Sequence, residues 1–254
     1  MNTMDVHYAT HLGPIYEWMV GDLDAALKRS SAELEEMGVP SDTGSPHGTA
    51  LDLGAGLGLH SVALAKRGFE VTAIDSCRVL MDGFRTRAAG LPITLIDADI
   101  SAFRAHVGSP CDVILCLGDT LTHLPSFDAV ESLLRDVAEA LSEDGMFAAT
   151  FRDYASKTLE GNERIIPVKR DATRILTCFL EYGTDRVTVH DIVAQLEDQR
   201  WVHSESSYAK LRLAPGWVLS KLDALGLDAR QETAPSGMVR VVARKLSRFA
   251  RLNF

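Results

Sequence analysis

Three glycines at alternate positions, followed at once by a helix pattern, form the part of this sequence best suited to bind a reactive ligand. The segment reads Leu51-Asp52-Leu53-Gly54-Ala55-Gly56-Leu57-Gly58, and its first residues continue an apolar strand pattern over residues 50–53. A glycine turn between a strand and a helix lets backbone N–H groups approach a ligand closely. We therefore expect a nucleotide-like ligand at this turn.

Two carboxylates restrict the chemistry of that ligand. The spacing is G-x-G-x-G, whereas the dinucleotide fingerprint needs a glycine where Leu59 stands. Asp52, just before the turn, would repel a pyrophosphate but suits a ligand with a cationic ammonium group. Asp75 ends the second strand pattern, where it either accepts hydrogen bonds from ribose hydroxyls or only caps the next helix. The ligand implied has a ribose and a cation but no phosphate.

Polar side chains also follow the fourth and fifth strand patterns, where a second ligand of an open α/β sheet would bind. His123 could act as a general base, or it could bond the backbone where a helix starts near Ser126. Arg152 could hold a carboxylate with its planar fork, or it could form an ion pair with Asp153 or Asp119.

The elements that must position these residues alternate between strand and helix, which predicts an α/β fold with a doubly wound, mostly parallel (Rossmann-like) sheet. Ser76 is the predicted N-cap of the second crossover helix. After residue 154 the hydrophobic period changes to two, which predicts an inserted antiparallel cap of three strands with short hairpin connections. The core strands are predicted at residues 50–53, 69–74, 93–96, 112–117 and 146–151, and the cap strands at 173–182, 186–196 and 200–213. A helix at residues 215–225 and a strand at 238–243 return the chain to the core sheet.

The same patterns divide the chain into three parts. Residues 1–47 form an N-terminal helical lid and loop, residues 48–154 and 214–254 form the ligand-binding domain, and residues 155–213 form the cap. An amphipathic helical region spans residues 14–37, and turn formers fill residues 38–48. Tyr16 and Trp18 either pack in the core or belong to a helix that closes over the ligand.

Composition excludes several classes of partner. The 254 residues contain 26 basic and 35 acidic side chains, a net charge of −9, which argues against binding nucleic acid. No window approaches the ~20 apolar residues of a membrane span, and the four cysteines form no C-x-x-C pair, so we expect a cytoplasmic protein without membrane partners. The adjacent residues His190 and Asp191 face opposite sides of a strand, so no metal is expected. The oligomeric state stays open, a homo-oligomer included.

Over residues 50–154 the sequence resembles the class I S-adenosylmethionine-dependent methyltransferases. The resemblance is carried by the glycine segment, Asp75, the Ala98-Asp99-Ile100 step and residues 112–119. It implies S-adenosylmethionine as cofactor and S-adenosylhomocysteine as product. Asp99, with Asp97 as its competitor, would face the adenine amino group, and Ile100 would pack on the ring. The cofactor-binding residues expected are Asp52, Gly54, Ala55, Gly56, Gly58, Asp75, Ser76, Asp99, Ile100, Leu117, Gly118 and Tyr16.

Residues 116–124 and 151–154 are similar to the glycine/sarcosine N-methyltransferase branch and to small sugar N-methyltransferases. This implies N-methylation of a small amine that carries a carboxylate, with His123, Arg152, Asp119 and Tyr154 at the catalytic site. Asp119 and Asp153 replace asparagines of that branch, and the charge of Asp119 would favour a more cationic or larger acceptor. Two alternatives stay open, an O-methyltransferase with His123 as base and a cofactor-binding protein without turnover.

Overall fold

A seven-stranded central sheet organises the described part of the protein, a computed structural model that covers residues 3–41, 48–108 and 110–245. Its strand order is β10-β11-β5-β4-β1-β2-β3, with β11 antiparallel to both of its neighbours and the other pairs parallel. The strands are β1 Thr49–Leu53, β2 Glu70–Asp75, β3 Ile93–Asp97, β4 Cys111–Cys116, β5 Leu141–Phe151, β6 Ile165–Arg170, β7 Arg174–Tyr182, β8 Arg186–Glu197, β9 Arg200–Leu211, β10 Leu227–Thr233 and β11 Val239–Lys245. The doubly wound prediction is confirmed, and the order reverses at β1, which opens a crevice beside the ends of β1 and β4.

Helices cover both faces of this sheet because its strands are buried on both sides. The α-helices within the described residues are α1 Thr3–His7, α2 Gly13–Val20, α3 Leu23–Glu36, α4 Leu59–Lys66, α5 Arg78–Ala88, α6 Phe127–Ala140 and α7 Pro215–Ala224. One core, with Leu134 of α6 and Leu222 of α7, lies on one face. The other face packs against α3, α4 and α5 through residues such as Leu34, Leu64 and Phe84.

The second sheet has four strands in the order β6-β7-β8-β9, so the prediction of three strands is wrong by one. The unpredicted strand β6 is an exposed edge strand that contains Pro167 and a register shift between Pro167 and Lys169. Its sequence, Ile-Ile-Pro-Val-Lys-Arg, lacks the apolar–polar alternation by which the other three strands were predicted, and proline is typical of an edge strand. The turn between β8 and β9 places Asp198 and Gln199 in the left-handed region, as a two-residue hairpin of type I′ requires.

The N-terminal segment is broken into shorter helices than the single amphipathic region predicted over residues 14–37. A π-helical turn, Tyr8–Leu12, joins α1 to α2, and Gly21, with φ +88°, separates α2 from α3. Asp22 caps α3 by accepting a hydrogen bond from the N–H of Ala25. Residues 42–47 of the predicted loop and 246–254 of the predicted ligand-binding domain lie outside the described residues.

The strand β10 was also not predicted. It is the other edge of the central sheet, and charged side chains such as Arg230 and Glu232 interrupt its apolar pattern. None of the helices in the described ranges combines the length and apolar character needed to cross a bilayer.

Candidate active site

The glycine segment forms a turn that only glycine can adopt at its key positions. Gly54, Gly56 and Gly58 have φ angles of 77°, 53° and 75°, in the left-handed region that disfavours side chains. The N–H groups of Gly54 and Ala55 donate to the carbonyl of Ile74 in β2, at 2.8 and 3.1 Å, so the turn is anchored to the neighbouring strand. The loop is therefore held open as a backbone cradle at the carboxyl end of β1.

Neighbouring side chains press against the back of this turn. A Cβ on Gly54 would lie 2.4 Å from Thr120 Cγ2, and a Cβ on Gly58 would lie 2.1 Å from ring atoms of Phe84. Thr120 in turn donates to the carbonyl of Leu117, at the end of β4, and the N–H of Gly118 donates to Thr150 Oγ1. Leu117 and Gly118 thus lie beside the glycine turn.

Asp75 is built into the same turn. Its Oδ2 accepts a hydrogen bond from the N–H of Gly56, and its Oδ1 accepts one from the N–H of Cys77, both at 2.7 Å. Burial raises the pKa of this carboxyl, and the two backbone bonds only partly offset that effect. A carboxylate offers about four acceptor sites, so it keeps capacity for further hydroxyl donors. The Ser76 N-cap prediction is wrong, because Cys77 occupies the N-cap position and Asp75 satisfies its N–H.

Asp52 lies beneath the glycine turn and is only 3% exposed. Its Oδ2 accepts a hydrogen bond from Ser61 Oγ at 2.6 Å, and burial raises the pKa of its carboxyl. The structure therefore places this carboxylate behind the cradle, and its role as partner of a ligand ammonium stays a prediction.

Asp99 and Asp97 differ in their partners. Asp97 Oδ2 forms an ion pair with Arg78 Nε at 2.6 Å. Asp99 caps the 3₁₀ helix Ile100–His106 through Oδ1, which accepts hydrogen bonds from the N–H and hydroxyl of Ser101. Its Oδ2 has no partner among the described residues. Each carboxylate thus keeps one oxygen without a partner in the described ranges, so the choice between them stays open. Ile100 is partly buried against the main core.

On the opposite side of the crevice, Asp119 is buried and bonded through both oxygens. Lys210 Nζ, from β9 of the second sheet, lies 2.5 Å from Oδ2. Oδ1 accepts hydrogen bonds from the N–H of Arg152 at 2.9 Å and from Thr122 Oγ1 at 3.1 Å. The expectation that the charge of Asp119 selects a cationic acceptor is therefore corrected, because Lys210 already neutralises that charge.

Arg152 follows β5, and its side chain is exposed. Neither ion pair proposed for it from the sequence forms among the described residues. Asp119 contacts only its backbone N–H, and Asp153 Oδ1 instead accepts hydrogen bonds from the N–H groups of Ala155 and Ser156. The guanidinium is thus free to meet a ligand. Tyr154, only 6% exposed, packs in a cluster with Leu180 and Tyr208 of the second sheet.

His123 lies in a buried chamber that Tyr8, Tyr208 and Lys210 also line. Its buried Nδ1 has no hydrogen-bond partner among the described residues. Its ring stacks on Tyr208 at 5.4 Å and meets the edge of Tyr8 at 5.7 Å. Burial, assisted by the charge of Lys210, lowers the pKa of His123 to about 3. The predicted backbone bond near Ser126 is absent from the described residues, since that serine instead caps α6.

The N-terminal helices lie across the crevice. Tyr16 lies 6.2 Å from Tyr8 between ring centroids, and burial, together with the charges of Asp75 and Asp119, raises the pKa of Tyr16 to about 12. Trp18 donates to Asp171 Oδ2 at 2.5 Å, and its ring faces Arg174, so α2 contacts the second sheet. Trp18 and Tyr16 are also partly buried against a cluster that contains Leu12 of the π-helical turn and Leu176 of β7, so the core-packing interpretation is confirmed.

Several chamber residues were not predicted as site residues from the sequence. His7 Nε2 contacts Asp191 Oδ2 at 3.0 Å, and Cys178 Sγ contacts the other oxygen of Asp191 at 2.7 Å. On β9, Tyr208 and Lys210 occupy alternate positions on the buried face, and a lysine at such a position was the available signal. His190 points away, toward Glu181 and Glu205. No group of three potential metal ligands occurs in the described ranges.

Residues 50–145 match the family model of a methyltransferase domain. This match covers β1, the glycine turn, Asp75 and the crevice beside β4. The chain carries a methyltransferase domain over these residues. Its central sheet, with the added antiparallel β11, is the corresponding Rossmann-like fold.

Relatives of this methyltransferase domain include the glycine/sarcosine/dimethylglycine N-methyltransferase of Actinopolyspora halophila, 34% identical over 111 residues. That match covers 42% of the chain and 20% of the relative, so the chain spans a minor part of the curated relative. Solved structures resemble almost the whole chain. The CcbJ methyltransferase of Streptomyces caelestis superimposes with a TM-score of 0.75 at 18% identity, covering 94% of this chain and 98% of that one. An amino pentose methyltransferase from Micromonospora echinaspora gives a TM-score of 0.71 at 13% identity, covering 89% and 92%.

Proposed function

We propose that this protein is an S-adenosylmethionine-dependent N-methyltransferase whose acceptor is a small amine bearing a carboxylate. The observation that carries the acceptor chemistry is the buried His123, whose lowered pKa keeps it neutral and whose Nδ1 has no partner among the described residues. Each part of the proposal rests on separate contacts.

The cradle fits the cofactor. The open backbone at Gly54–Gly58 would hold the methionine moiety, Asp75 keeps acceptor sites for two ribose hydroxyls, and the free Oδ2 of Asp99 would accept from the adenine amino group. When bound, S-adenosylmethionine supplies a methyl group on a positively charged sulfur. The task of the chain is then to orient the acceptor in line with that methyl group and to exclude water.

The state of His123 favours an amine over a hydroxyl acceptor. A hydroxyl needs a base whose pKa lies near the working pH, and a group with a pKa of about 3 takes protons poorly at neutral pH. A neutral amine needs only its lone pair aimed at the methyl group. The unpartnered Nδ1 of His123 would accept a hydrogen bond from the amine N–H and so orient that lone pair.

The free guanidinium of Arg152 supports the carboxylate. Its planar fork can hold a carboxylate through two parallel hydrogen bonds, which fixes the direction of the acceptor. The relative in Actinopolyspora halophila is named for glycine, sarcosine and dimethylglycine, acceptors of this kind. The amino pentose enzyme, which shares the fold, is the precedent for an amine without that group.

The partial burial of Tyr8 and Tyr16 against Leu12 and Ile15 supports the N-terminal segment as the lid over this chamber, and the second sheet as its cap. We therefore propose that residues 1–47 form the lid and its loop and that residues 155–213 form the cap. In this segment, α1 contacts β9 of the second sheet, and α2 contacts α5, which packs on the central sheet. The segment therefore connects the two sheets.

Methyl transfer from isotopically labelled S-adenosylmethionine tests the proposal, with products identified by mass spectrometry. The acceptors are glycine, sarcosine, glycinamide, glycolate and an amino pentose. We expect label on glycine or sarcosine and little on glycinamide. Label on glycolate alone would support the hydroxyl acceptor with His123 as base, and label on the amino pentose alone would refute the carboxylate. Binding of S-adenosylhomocysteine without any transfer would favour the non-catalytic alternative.

A further inference from the structure

A buried lysine reaches across the crevice from the second sheet to the central sheet. The side chains of Lys210 and Asp119 are only 8% and 5% exposed, and their charged atoms lie 2.5 Å apart. The ammonium of Lys210 also faces the ring of Tyr208 at 5.4 Å and that of Tyr154 at 6.0 Å. Leaving either charge of such a pair alone would be strongly unfavourable, so the two side chains constrain each other.

The carboxylates around this chamber are already engaged. Asp119 binds Lys210, the Arg152 N–H and the Thr122 hydroxyl. Asp191, from β8, faces His7 of α1 and Cys178 of β7. The other titratable groups that interact with the pair are His123, Tyr8, Tyr16, Tyr154, Tyr208 and Cys178, and the charge of Arg152 also acts on Tyr154 and Cys178. Asp119 and Asp191 thus each already have partners and are not free to hold the acceptor as an ammonium.

We propose that Lys210 is a positioning residue that makes the chamber accept its substrate as the neutral amine, by occupying Asp119, which in turn fixes the backbone of Arg152. This inference rests on the proposed function, because it concerns the acceptor of that reaction. Lys210 does not touch the reacting atoms. It removes the carboxylate that would otherwise stabilise a bound ammonium.

The proton balance follows from this arrangement. An ammonium that enters the chamber finds Asp119 already paired with Lys210. Because no unpaired carboxylate then stabilises its charge, burial disfavours the protonated form. The amine therefore gives its proton to water as it binds. Its nitrogen then forms the C–N bond while the methyl–sulfur bond of the cofactor breaks, giving S-adenosylhomocysteine and a methylated ammonium. The methylated ammonium leaves in that form, so one proton is released for each methyl group transferred.

The test compares Lys210→Met with the charge-preserving Lys210→Arg, using glycine as acceptor and following kcat at saturating glycine against pH, because kcat reports the protonation of the bound acceptor. In Lys210→Met, Asp119 would lose its partner and would stabilise the bound ammonium. We therefore expect the acidic limb of the pH profile to move to higher pH by about one unit or more. The double variant Lys210→Met/Asp119→Asn, which lacks both charges, should return the limb toward its original position. Lys210→Arg should keep it in place. Calorimetry with S-adenosylhomocysteine on each variant confirms that the cradle is intact.

A second readout needs no turnover. The charge of Lys210 acts on His123, so NMR titration of ¹⁵N-histidine-labelled protein should show a higher His123 pKa in the double variant than in the native protein, and no such rise in Lys210→Arg. If the native protein methylates an amine while neither the acidic limb nor the His123 titration changes on loss of Lys210, this inference alone is wrong. If the native protein methylates no amine, both the proposed function and this inference are wrong.

Discussion

Replacing Gly58 by alanine should destabilise the fold far more than the same change at Gly56. Gly58 has φ +75°, and a left-handed backbone costs a residue with a side chain roughly 1–2 kcal/mol. Its new Cβ would also lie 2.1 Å from the ring of Phe84, which is fully buried in a cluster with Val62 and Ala73. The ring cannot move away freely, and overpacking of this kind costs about 1–3 kcal/mol. The free energy of unfolding should therefore fall by about 2–5 kcal/mol.

Urea denaturation measures this loss, with Gly56→Ala as the matched control. At Gly56 the nearest atom to a new Cβ is Leu80 Cδ1 at 3.8 Å, so only the backbone cost of roughly 1–2 kcal/mol applies. Adding Phe84→Leu to Gly58→Ala should make the combined loss smaller than the sum of the single losses, because the smaller side chain relieves the overlap. Equal losses at Gly56 and Gly58, or strict additivity with Phe84→Leu, would refute the packing argument.

The remaining predictions concern the acceptor contact and a buried charge. Arg152→Lys should raise the KM of a carboxylate-bearing acceptor by roughly 10- to 100-fold, because the charge-assisted hydrogen bonds that are lost contribute about 1.5–3 kcal/mol. The affinity for S-adenosylhomocysteine and the KM of amide acceptors should hardly change. Steady-state kinetics checks this, and equal effects on acid and amide acceptors would make Arg152 structural. Because burial raises the pKa of Asp52, the folded state holds its proton more tightly than the unfolded chain, so this carboxyl costs stability as pH rises above its unfolded pKa. Asp52→Asn, which can still accept from Ser61, should therefore gain stability relative to the native protein between pH 4 and pH 7 in thermal unfolding. A difference between the two proteins that is independent of pH would contradict that assignment.

Local chemistry made much of this protein predictable from its sequence. The parallel strands are nearly continuous apolar runs, as in β4, because helices bury both of their faces. The glycine turn was predictable because a left-handed backbone conformation favours glycine, so the conformation can be read from the residue type. Asp75 followed from its position at the end of the adjacent strand.

Contacts between distant parts of the chain could not be predicted in the same way. Lys210 and Asp119 lie 91 residues apart, and only the folding of β9 over the crevice brings them together. His7 ends α1, and Tyr8 begins a π-helical turn that has no simple hydrophobic period. The strand β6 is exposed and interrupted by Pro167, so its residues carry little pattern to detect.

The central claim is that the glycine turn and Asp75 form a binding site for S-adenosylmethionine, and calorimetry tests it most directly. We predict that the native protein binds S-adenosylhomocysteine and does not bind NAD. Asp75→Ala should weaken that binding by about 1–3 kcal/mol, because its hydrogen-bond donors lose their acceptor, whereas Asp97→Ala at the paired position of β3 should not. Tight NAD binding with no response to S-adenosylhomocysteine would contradict the account.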